Sequence, residues 1–184
     1  MRRERMPLIG IKFRKEDIPT RVSWINDPKV FYSMHFDSFV TEEGTEDWYE
    51  RNRACKDRID VSFLEDDRIV AMGGLTSISD VHRNAELYVL VGPAFHRRGY
   101  GSESTKWLVN YGFSQLGLHR IYLITNGTND AAVALYRKLG FVQEGVLREH
   151  KWLGDRFIDR ILFGMNHSEW RVLPWSSIVQ LQEN

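Results

Sequence analysis

One strand, loop and helix combination in the sequence is suited to binding a phosphate. AELYVLV at 85–91 has the apolar character of a strand, and it is followed by GPAF, by HRRGYGS and by a helix. Backbone N–H groups at a helix N-terminus have no partner within the helix, and the helix dipole adds partial positive charge there. Gly99 and Gly101 let the backbone approach an anion closely, and Arg97 and Arg98 add two full charges. The pattern predicts a phosphate or pyrophosphate site, with an ordinary turn and a solvated arginine pair as the alternative.

Two common phosphate-binding patterns are absent from the sequence. Neither the G-x-G-x-x-G of dinucleotide-binding folds nor the Gly-Lys-Ser/Thr ending of a Walker loop occurs. The loop is therefore interpreted together with the run NDAAVALYRKLGF from Asn129 to Phe141, which follows after roughly one helix and one strand.

These two segments, HRRGYG and NDAAVALYRKLGF, resemble motifs A and B of the GNAT acyl-CoA N-acetyltransferase superfamily. The usual first motif is Gln/Arg-x-x-Gly-x-Gly/Ala. The usual second motif is Asn, a short spacer, Ala, Leu-Tyr, a basic residue and Gly-Phe. Both occur in order, with His96 where Gln or Arg is common. VHRNAELYVLVGPAFHRRGYG, NYGFSQLGLHRIYLI and RKLGFVQEGVLREH are most similar to spermidine N-acetyltransferases and to acetyltransferases of ribosomal-protein N-termini.

The resemblance implies that acetyl-CoA is the donor cosubstrate. Backbone groups of 89–91 would pair with the pantetheine arm and supply an N–H to the oxyanion of the tetrahedral intermediate, where this strand bulges and splays from the next. The alternatives are apolar core for that strand, a helix N-cap for Asn129 and a solvated helix face for Arg137 and Lys138. The cofactor contacts expected from the resemblance are Val89, Leu90, Val91, His96, Arg97, Arg98, Gly99, Tyr100, Gly101, Ser102, Asn129, Arg137 and Lys138.

Two residues are expected to carry the catalytic roles that the resemblance implies. Tyr136 would give a proton to the departing CoA thiolate, since a phenol is a weaker acid than a thiol. Glu86 would act as general base, through water, because an amine with a pKa near ~10 must lose a proton before it attacks. The alternative for Tyr136 is an aromatic core residue beside Leu135, and for Glu86 a carboxylate paired with Arg83 or another cation.

The hydrophobic pattern predicts the elements that must position these residues. Ile9, Ile11 and Phe13 alternate with polar or small residues, as in a strand, whereas apolar residues in 99–116 recur at helical spacing. The stretch 35–40 has neither period and is interpreted as a loop. The predicted strands are 9–13, 59–65, 68–78, 85–91, 119–126, 141–152 and 157–165, and the predicted helices are 15–26, 30–34, 41–56, 99–116 and 129–139.

This order of elements predicts a mixed sheet with helices on its faces. The resemblance makes the expectation more specific. It implies an α/β (α+β) GNAT fold with a mixed, mostly antiparallel sheet of about seven strands, splayed at the cofactor site. Residues 1–184 are expected to form a single domain. Its C-terminal appendage, 166–184, carries Trp170, Leu173 and Trp175 and would pack on its own domain or on a second subunit, so a homo-oligomer is a possible assembly.

Composition and charge exclude several function classes. The 184 residues carry 25 Lys and Arg against 25 Asp and Glu, a net charge of zero that argues against nucleic acid as a partner. The single Cys55 leaves no partner for a disulfide or a cysteine zinc site, and the six histidines include no i, i+4 pair, so no metal is expected. No apolar run is long enough to span a membrane, and the start MRRERMPLIG lacks a signal-peptide core. A cytoplasmic protein is expected.

The acceptor site is expected between the segment from His35 to Trp48 and the late hairpin around Trp152. Five acids at 42, 43, 46, 47 and 50 would attract a cationic amine such as a polyamine. The alternative is a solvated helix in which Asp47 and Arg51 form a weak surface pair.

Three function classes remain open from the sequence. The first is an N-acetyltransferase acting on a small-molecule primary amine such as a polyamine or an amino sugar. The second is an acetyltransferase of a protein N-terminal α-amine. The third is a non-catalytic acyl-CoA-binding protein, against which the joint presence of Tyr136 and Asn129 argues.

Overall fold

A computed structural model describes residues 8–34, 38–177 and 179–182. His35, at the start of the predicted acceptor wall, lies outside the described residues. The strands are β1 Ile9–Lys12, β2 Ile59–Glu65, β3 Arg68–Ser79, β4 Asn84–Val91, β5 Arg120–Asn126, β6 Val142–Trp152 and β7 Phe157–Asn166. The helices are α1 Ile18–Ile25, α2 Pro28–Phe31, α3 Glu42–Asn52, α4 Tyr100–Ser114, α5 Asp130–Leu139 and α6 His167–Trp170.

In the described ranges, seven strands form one sheet in the order β1-β2-β3-β4-β5-β7-β6. Neighbours pair antiparallel except β4 and β5, which are parallel. The predicted fold class, a mixed and mostly antiparallel sheet of about seven strands, is therefore confirmed. Asp66 and Asp67 make a tight turn between β2 and β3 with positive φ values of 49° and 58°, and Gly154 with φ 80° lies in the turn between β6 and β7.

The parallel pair β4 and β5 is joined along only part of its length. The paired positions are Asn84 with Arg120, Ala85 with Ile121 and Glu86 with Tyr122. β4 continues along β3 as far as Val91, and β5 continues along β7 as far as Asn126. In these fully described strands, no β4–β5 pairing follows Glu86, so the two strands diverge and open the sheet as predicted.

Two hydrophobic clusters cover the two faces of the sheet. Side chains alternate between faces along a strand. Leu87, Val89 and Val91 of β4 pack with residues of α4 and α5, whereas Leu90 packs with residues of α1. Helices therefore lie on both faces, and the opening between β4 and β5 connects the α4/α5 face with the α1 face.

Three of the predicted helices differ from the observed bounds by three residues or more at one end. The first begins only at Ile18, because 15–17 form a 3-10 turn. α2 begins earlier than predicted, since Pro28 occupies its first turn and the Asp27 carboxylate accepts from the Lys29 N–H. α3 ends at Asn52 rather than 56.

The C-terminal appendage packs on its own chain through Asn110 of α4. The Trp170 indole N–H donates to Asn110 Oδ1 at 2.7 Å, and Asn110 Nδ2 donates to Ser177 Oγ at 2.8 Å. Gln182 N–H donates to the Gly10 carbonyl of β1. The described part of the chain contains no helix that is both long and apolar enough to cross a membrane.

Candidate active site

The divergence of β4 and β5 leaves a cavity of about 300 Å³ in the middle of the protein. Residues from β3, β4, β5, α1 and α5 contribute to its wall, together with residues between α2 and β2. The lining residues are Arg21, Ser33, Met34, Arg58, Thr76, Glu86, Leu87, Tyr88, Val89, Leu123, Ile124, Thr125, Asn129, Ala132 and Tyr136. Four predicted site residues, Glu86, Val89, Asn129 and Tyr136, are thus brought together.

The two proposed catalytic residues approach this cavity from opposite faces of the sheet. Tyr136 belongs to the cluster on the α4/α5 face, as does Val89. Glu86 and Tyr88 alternate in phase with Leu90, which packs on the α1 face. A ligand entering along α4 and α5 would therefore meet, at the opening, a second ligand entering along α1.

Tyr136 is held rigidly by aromatic neighbours. Its ring lies 5.8 Å from that of Phe141 and 6.0 Å from that of Phe163, between ring centroids. Burial raises the pKa of its phenol to about 12. No hydrogen-bond partner for the Tyr136 hydroxyl occurs among the described residues, so the neutral phenol keeps its proton for a group that enters the cavity.

Asn129 has the structural role that was considered as its alternative. Its Oδ1 accepts from the Ala132 N–H at 3.1 Å and caps α5. At the other end, α5 stops at Gly140, whose φ of 94° suits glycine. The cap fixes the start of the helix that carries Tyr136, and Asn129 also borders the cavity.

Glu86 is half-buried, and burial raises the pKa of its carboxyl; the nearby charge of Arg160 partly offsets this effect. Arg83, named as the alternative partner, is not the cation involved, because its guanidinium donates to the Gly117 carbonyl. Arg160 of β7 is buried and donates to the Ile124 carbonyl at 3.2 Å. A carboxyl with a raised pKa in the wall of a cavity is suited to accepting a proton near neutral pH.

The predicted phosphate loop leads into the N-terminus of α4. The first hydrogen bond of α4 runs from the Glu103 N–H to the Gly99 carbonyl, so the N–H groups of Gly101 and Ser102 precede the helical ladder. Gly99 has a φ of 86° and Arg97 a φ of 61°, which turn the chain sharply into the helix. A positive helix end with unpaired N–H groups fits an anion.

The side chains of this loop differ in whether they are exposed or engaged within the protein. Arg97 and Arg98 are exposed, as a phosphate contact requires. His96 Nε2 donates to the Val91 carbonyl at 3.0 Å, which engages this side chain within the loop. Tyr100 is buried and its hydroxyl donates to Glu65, so this side chain is engaged within the protein.

Two further predicted cofactor contacts lie at the end of α5. Arg137 and Lys138 are both exposed in its last turn. Arg137 Nη2 donates to Gln143 Oε1 at 2.7 Å. Neither residue borders the cavity, and their contact with cofactor phosphates stays a prediction.

The bulge expected in β4 lies on its neighbour instead. β4 and β3 keep continuous register from Ala71–Val91 to Thr76–Glu86, and the shift falls between Thr76 and Ser79. β3 contains the extra residue, and Ser77 has a φ of 51°. The edge of β4 that faces β5, where the cofactor is predicted to bind, is therefore regular strand, exposed by the divergence of β5 alone.

The acid-rich helix α3 fits the alternative of a solvated face. Its five acids are exposed, and none of them borders the cavity. Glu46 pairs with Lys15 at 3.1 Å and Glu50 with Arg53 at 2.6 Å, rather than Asp47 with Arg51. Among the described residues, no group of three or more His, Cys, Asp or Glu side chains is arranged to hold a metal ion.

Sequence reasoning missed a polar cluster on the α1 face of the cavity. Arg58 donates to both oxygens of Asp60, at 2.8 Å and 2.9 Å, and the Tyr88 hydroxyl donates to the same carboxylate. Arg21 of α1 lies beside them. One signal was available: Ile18, Arg21 and Ile25 have the spacing of a buried helix face, so Arg21 occupies an apolar position.

Comparison with models of protein families identifies the family of the chain. The model of the Acetyltransferase (GNAT) domain matches residues 8–142, which is most of the chain. The chain belongs to the GNAT family. The match includes β4, the loop and α5, and it ends at the start of β6.

Individual GNAT relatives match over about half of this chain to most of it. Spermidine N(1)-acetyltransferase of Escherichia coli K12 is 34% identical over 87 residues, 47% of each chain. That of Vibrio cholerae is 31% identical over 111 residues, 59% of this chain and 64% of the relative. The chain thus spans about half to two thirds of the length of these curated relatives. An uncharacterized N-acetyltransferase, p20 of Bacillus licheniformis, is 25% identical over 86% of this chain and 92% of its own.

Solved structures confirm the GNAT fold. The crystal structure of spermidine N-acetyltransferase from Vibrio cholerae with CoA and spermine has a TM-score of 0.85 at 22% identity and covers 89% of this chain and 97% of that one. A chimera of the Vibrio cholerae enzyme has a TM-score of 0.86 at 21% identity, with coverage of 91% and 100%. At these identities the likeness establishes the fold.

Gly101 offers a direct test of the phosphate loop. Gly101→Glu is expected to weaken CoA binding about 100-fold or more, because it adds bulk and negative charge at the helix N-terminus. Gly101→Ala is the matched control: its Cβ would lie 3.5 Å from Val91 Cγ2 and 3.6 Å from Leu135 Cδ2, which are ordinary contacts. Isothermal titration calorimetry with CoA measures both. Equal affinity for the two variants would place the cofactor elsewhere.

Proposed function

We propose that the protein is an acetyl-CoA-dependent N-acetyltransferase that transfers an acetyl group to a primary amine of a small molecule by direct attack. The observation that carries the proposal is the cavity through the sheet, where Glu86 and Tyr136 approach from opposite faces. Such an arrangement lets an amine on one face meet a thioester on the other. Family membership supports the same reaction.

The chain offers a continuous surface for the donor. The N–H groups at the start of α4 are available to the phosphates, and the free edge of β4 from Leu87 to Val91 is available to the amides of the pantetheine arm. The Val91 side chain lies next to Gly101, so the edge of β4 and the start of α4 adjoin. Acetyl-CoA supplies the activated acetyl group.

Glu86 and Tyr136 each carry out one of the two proton transfers in the proposed reaction. Glu86, with its raised pKa, takes a proton from the ammonium form of the acceptor, directly or through water, and so provides the free amine. Tyr136, whose pKa is about 12, stays protonated and donates to the sulfur that leaves. No covalent enzyme intermediate is required, and the exposed thiol of Cys55 is unpaired, as suits a reducing compartment such as the cytoplasm.

The relatives supply two candidate acceptors. Spermidine N(1)-acetyltransferases support a polyamine, and a putative ribosomal N-acetyltransferase of Bacillus subtilis, 25% identical over 124 residues, supports a protein N-terminus. A cavity of about 300 Å³ is at the lower end of the range for small-molecule sites, which favours a compact amine over a peptide.

A panel of acceptors tests the reaction. Thiol release from acetyl-CoA is measured with polyamines, amino sugars, other small primary amines and peptides. The proposal expects turnover with at least one small amine and lower kcat/KM for every peptide. Tight CoA binding without turnover on any amine would favour the non-catalytic acyl-CoA-binding protein, and faster turnover on peptides would favour the N-terminal acetyltransferase.

Tyr136→Phe tests the proton donor. The change removes only the hydroxyl and keeps the ring contacts with Phe141 and Phe163, so kcat is expected to fall about 100-fold while the affinity for CoA changes little. Phe141→Tyr, which adds a hydroxyl outside the cavity lining, does not restore activity when combined with it. Stopped assays give kcat, and calorimetry gives CoA affinity. Unchanged kcat would remove Tyr136 from the mechanism.

Glu86→Gln tests the general base through the pH profile. Glu86 acts as an ionised base on a bound ammonium, so the reactive complex contains ionised Glu86 and the protonated amine. Log kcat/KM therefore rises with slope one at acidic pH, through the raised pKa of Glu86, and then levels off until the amine itself titrates. In Glu86→Gln the activity at neutral pH falls about 100-fold, and log kcat/KM keeps rising with slope one toward the pKa of the amine, because only the free amine reacts. Glu43→Gln, on the exposed face of α3, keeps the wild-type profile. A wild-type profile that rises with slope one up to the pKa of the amine would contradict the assignment.

A further inference from the structure

Arg21 is a buried cation in the wall of the cavity. It lies on the inner face of α1 between Ile18 and Ile25, and only 7% of its surface is exposed. Arg21 borders the cavity together with Glu86 and Tyr88. Burial of an unpaired guanidinium costs several kcal/mol, so its partner must be identified.

No oxygen atom of the described residues accepts a hydrogen bond from this guanidinium. Across the described residues 8–34, 38–177 and 179–182, no hydrogen bond or ion pair involves the Arg21 side chain, and Nη1 is fully buried without a partner. The rings of Trp48, Phe13 and Tyr88 lie 4.6, 5.7 and 5.8 Å from its central carbon. Aromatic rings cover the faces of the guanidinium, whereas its N–H donors point outward in the plane and require oxygen acceptors.

The nearby carboxylates are already engaged. Asp60 accepts from Arg58 through both oxygens and from the Tyr88 hydroxyl. Asp17, one turn earlier on the chain, accepts from Arg14 and from Ser62 Oγ. Neither is available to Arg21.

Arg21 brings to the α1 side of the cavity a positive charge that no carboxylate of the described residues pairs with. Asp60 is bound by Arg58, and the charge of Arg160 acts on Glu86. An acceptor with several ammonium groups would bring further positive charge to this wall, whereas an oxyanion would neutralise the charge of Arg21 and accept its hydrogen bonds.

We propose that Arg21 binds an oxyanion of the acceptor, so that the preferred acceptor is a small primary amine that also carries a carboxylate or a similar group. This inference rests on the proposed acetyl transfer. Glu86 and Tyr88 are two residues apart on one face of β4, about 7 Å along the strand. The Arg21 guanidinium lies beside Tyr88, 5.8 Å from the ring centroid, and so at the far end of this spacing from Glu86. An acceptor that reaches both residues has its amine and its oxyanion separated by several bonds, as in an ω-amino carboxylate rather than an α-amino acid.

Matched acceptors of equal length test the inference. In the wild-type protein, 5-aminopentanoate is expected to exceed pentylamine in kcat/KM by tenfold or more, about the effect of one charge-assisted hydrogen bond, and also to exceed spermidine. Calorimetry with the same compounds, in the presence of CoA, gives the same order of affinity without depending on turnover. Butyrate is expected to inhibit competitively against the amine.

Variants of Arg21 attribute the preference to this residue. Arg21→Gln is expected to lose the preference for 5-aminopentanoate over pentylamine while CoA affinity is kept, and Arg21→Lys is expected to keep part of it. Lys15→Gln is the control, because Lys15 is exposed, pairs with Glu46 and does not border the cavity. If the Arg21 variants do not fold, the wild-type preference and butyrate competition decide.

The outcomes separate this inference from the proposed function. Preference for pentylamine or spermidine over 5-aminopentanoate, or an unchanged ratio in Arg21→Gln, would overturn the role of Arg21 and leave the acetyltransferase intact. Binding of 5-aminopentanoate that depends on Arg21, without turnover on any amine, would support the anion site and contradict the proposed function.

Discussion

The termination of pairing between β4 and β5 is the constraint on which the site depends. Each strand keeps its other neighbour, β3 or β7, so the sheet stays intact while its centre opens after Glu86. The opening leaves N–H and C=O groups on the β5 side of β4 without a strand partner. Backbone polar groups of this kind require a hydrogen-bond partner from elsewhere. It also connects the two faces of the sheet, so that a thioester and an amine need not share an entrance.

Burial then determines the proton affinities of the groups at this opening. Tyr136 and Glu86 both have raised pKa values, for the same reason, yet the consequences are opposite. The phenol stays protonated over a wider range of pH, and the carboxylate binds a proton more tightly. Burial therefore supports both proposed roles, proton donor for Tyr136 and general base for Glu86.

Much of the fold and part of the site follow from local sequence. The apolar run of β4, the glycines at the start of α4 and the cap and stop of α5 at Asn129 and Gly140 all act within a few residues, so their pattern predicts them. Other contacts depend on segments that are far apart in the sequence. They include Arg160 near Glu86, Asn110 hydrogen-bonded to Trp170, and Arg21 in the wall of the cavity. Hydrophobic periodicity carries little information about such long-range contacts, although it does show that Arg21 occupies an apolar position of its helix.

A crystal structure of the protein with CoA tests the central claim most directly. The account predicts the phosphates at the N-terminus of α4, the pantetheine amides hydrogen-bonded to β4 between Leu87 and Val91, and the sulfur within hydrogen-bond reach of the Tyr136 hydroxyl. CoA bound away from the β4 edge, or β4 and β5 paired beyond Glu86 in the complex, would contradict it.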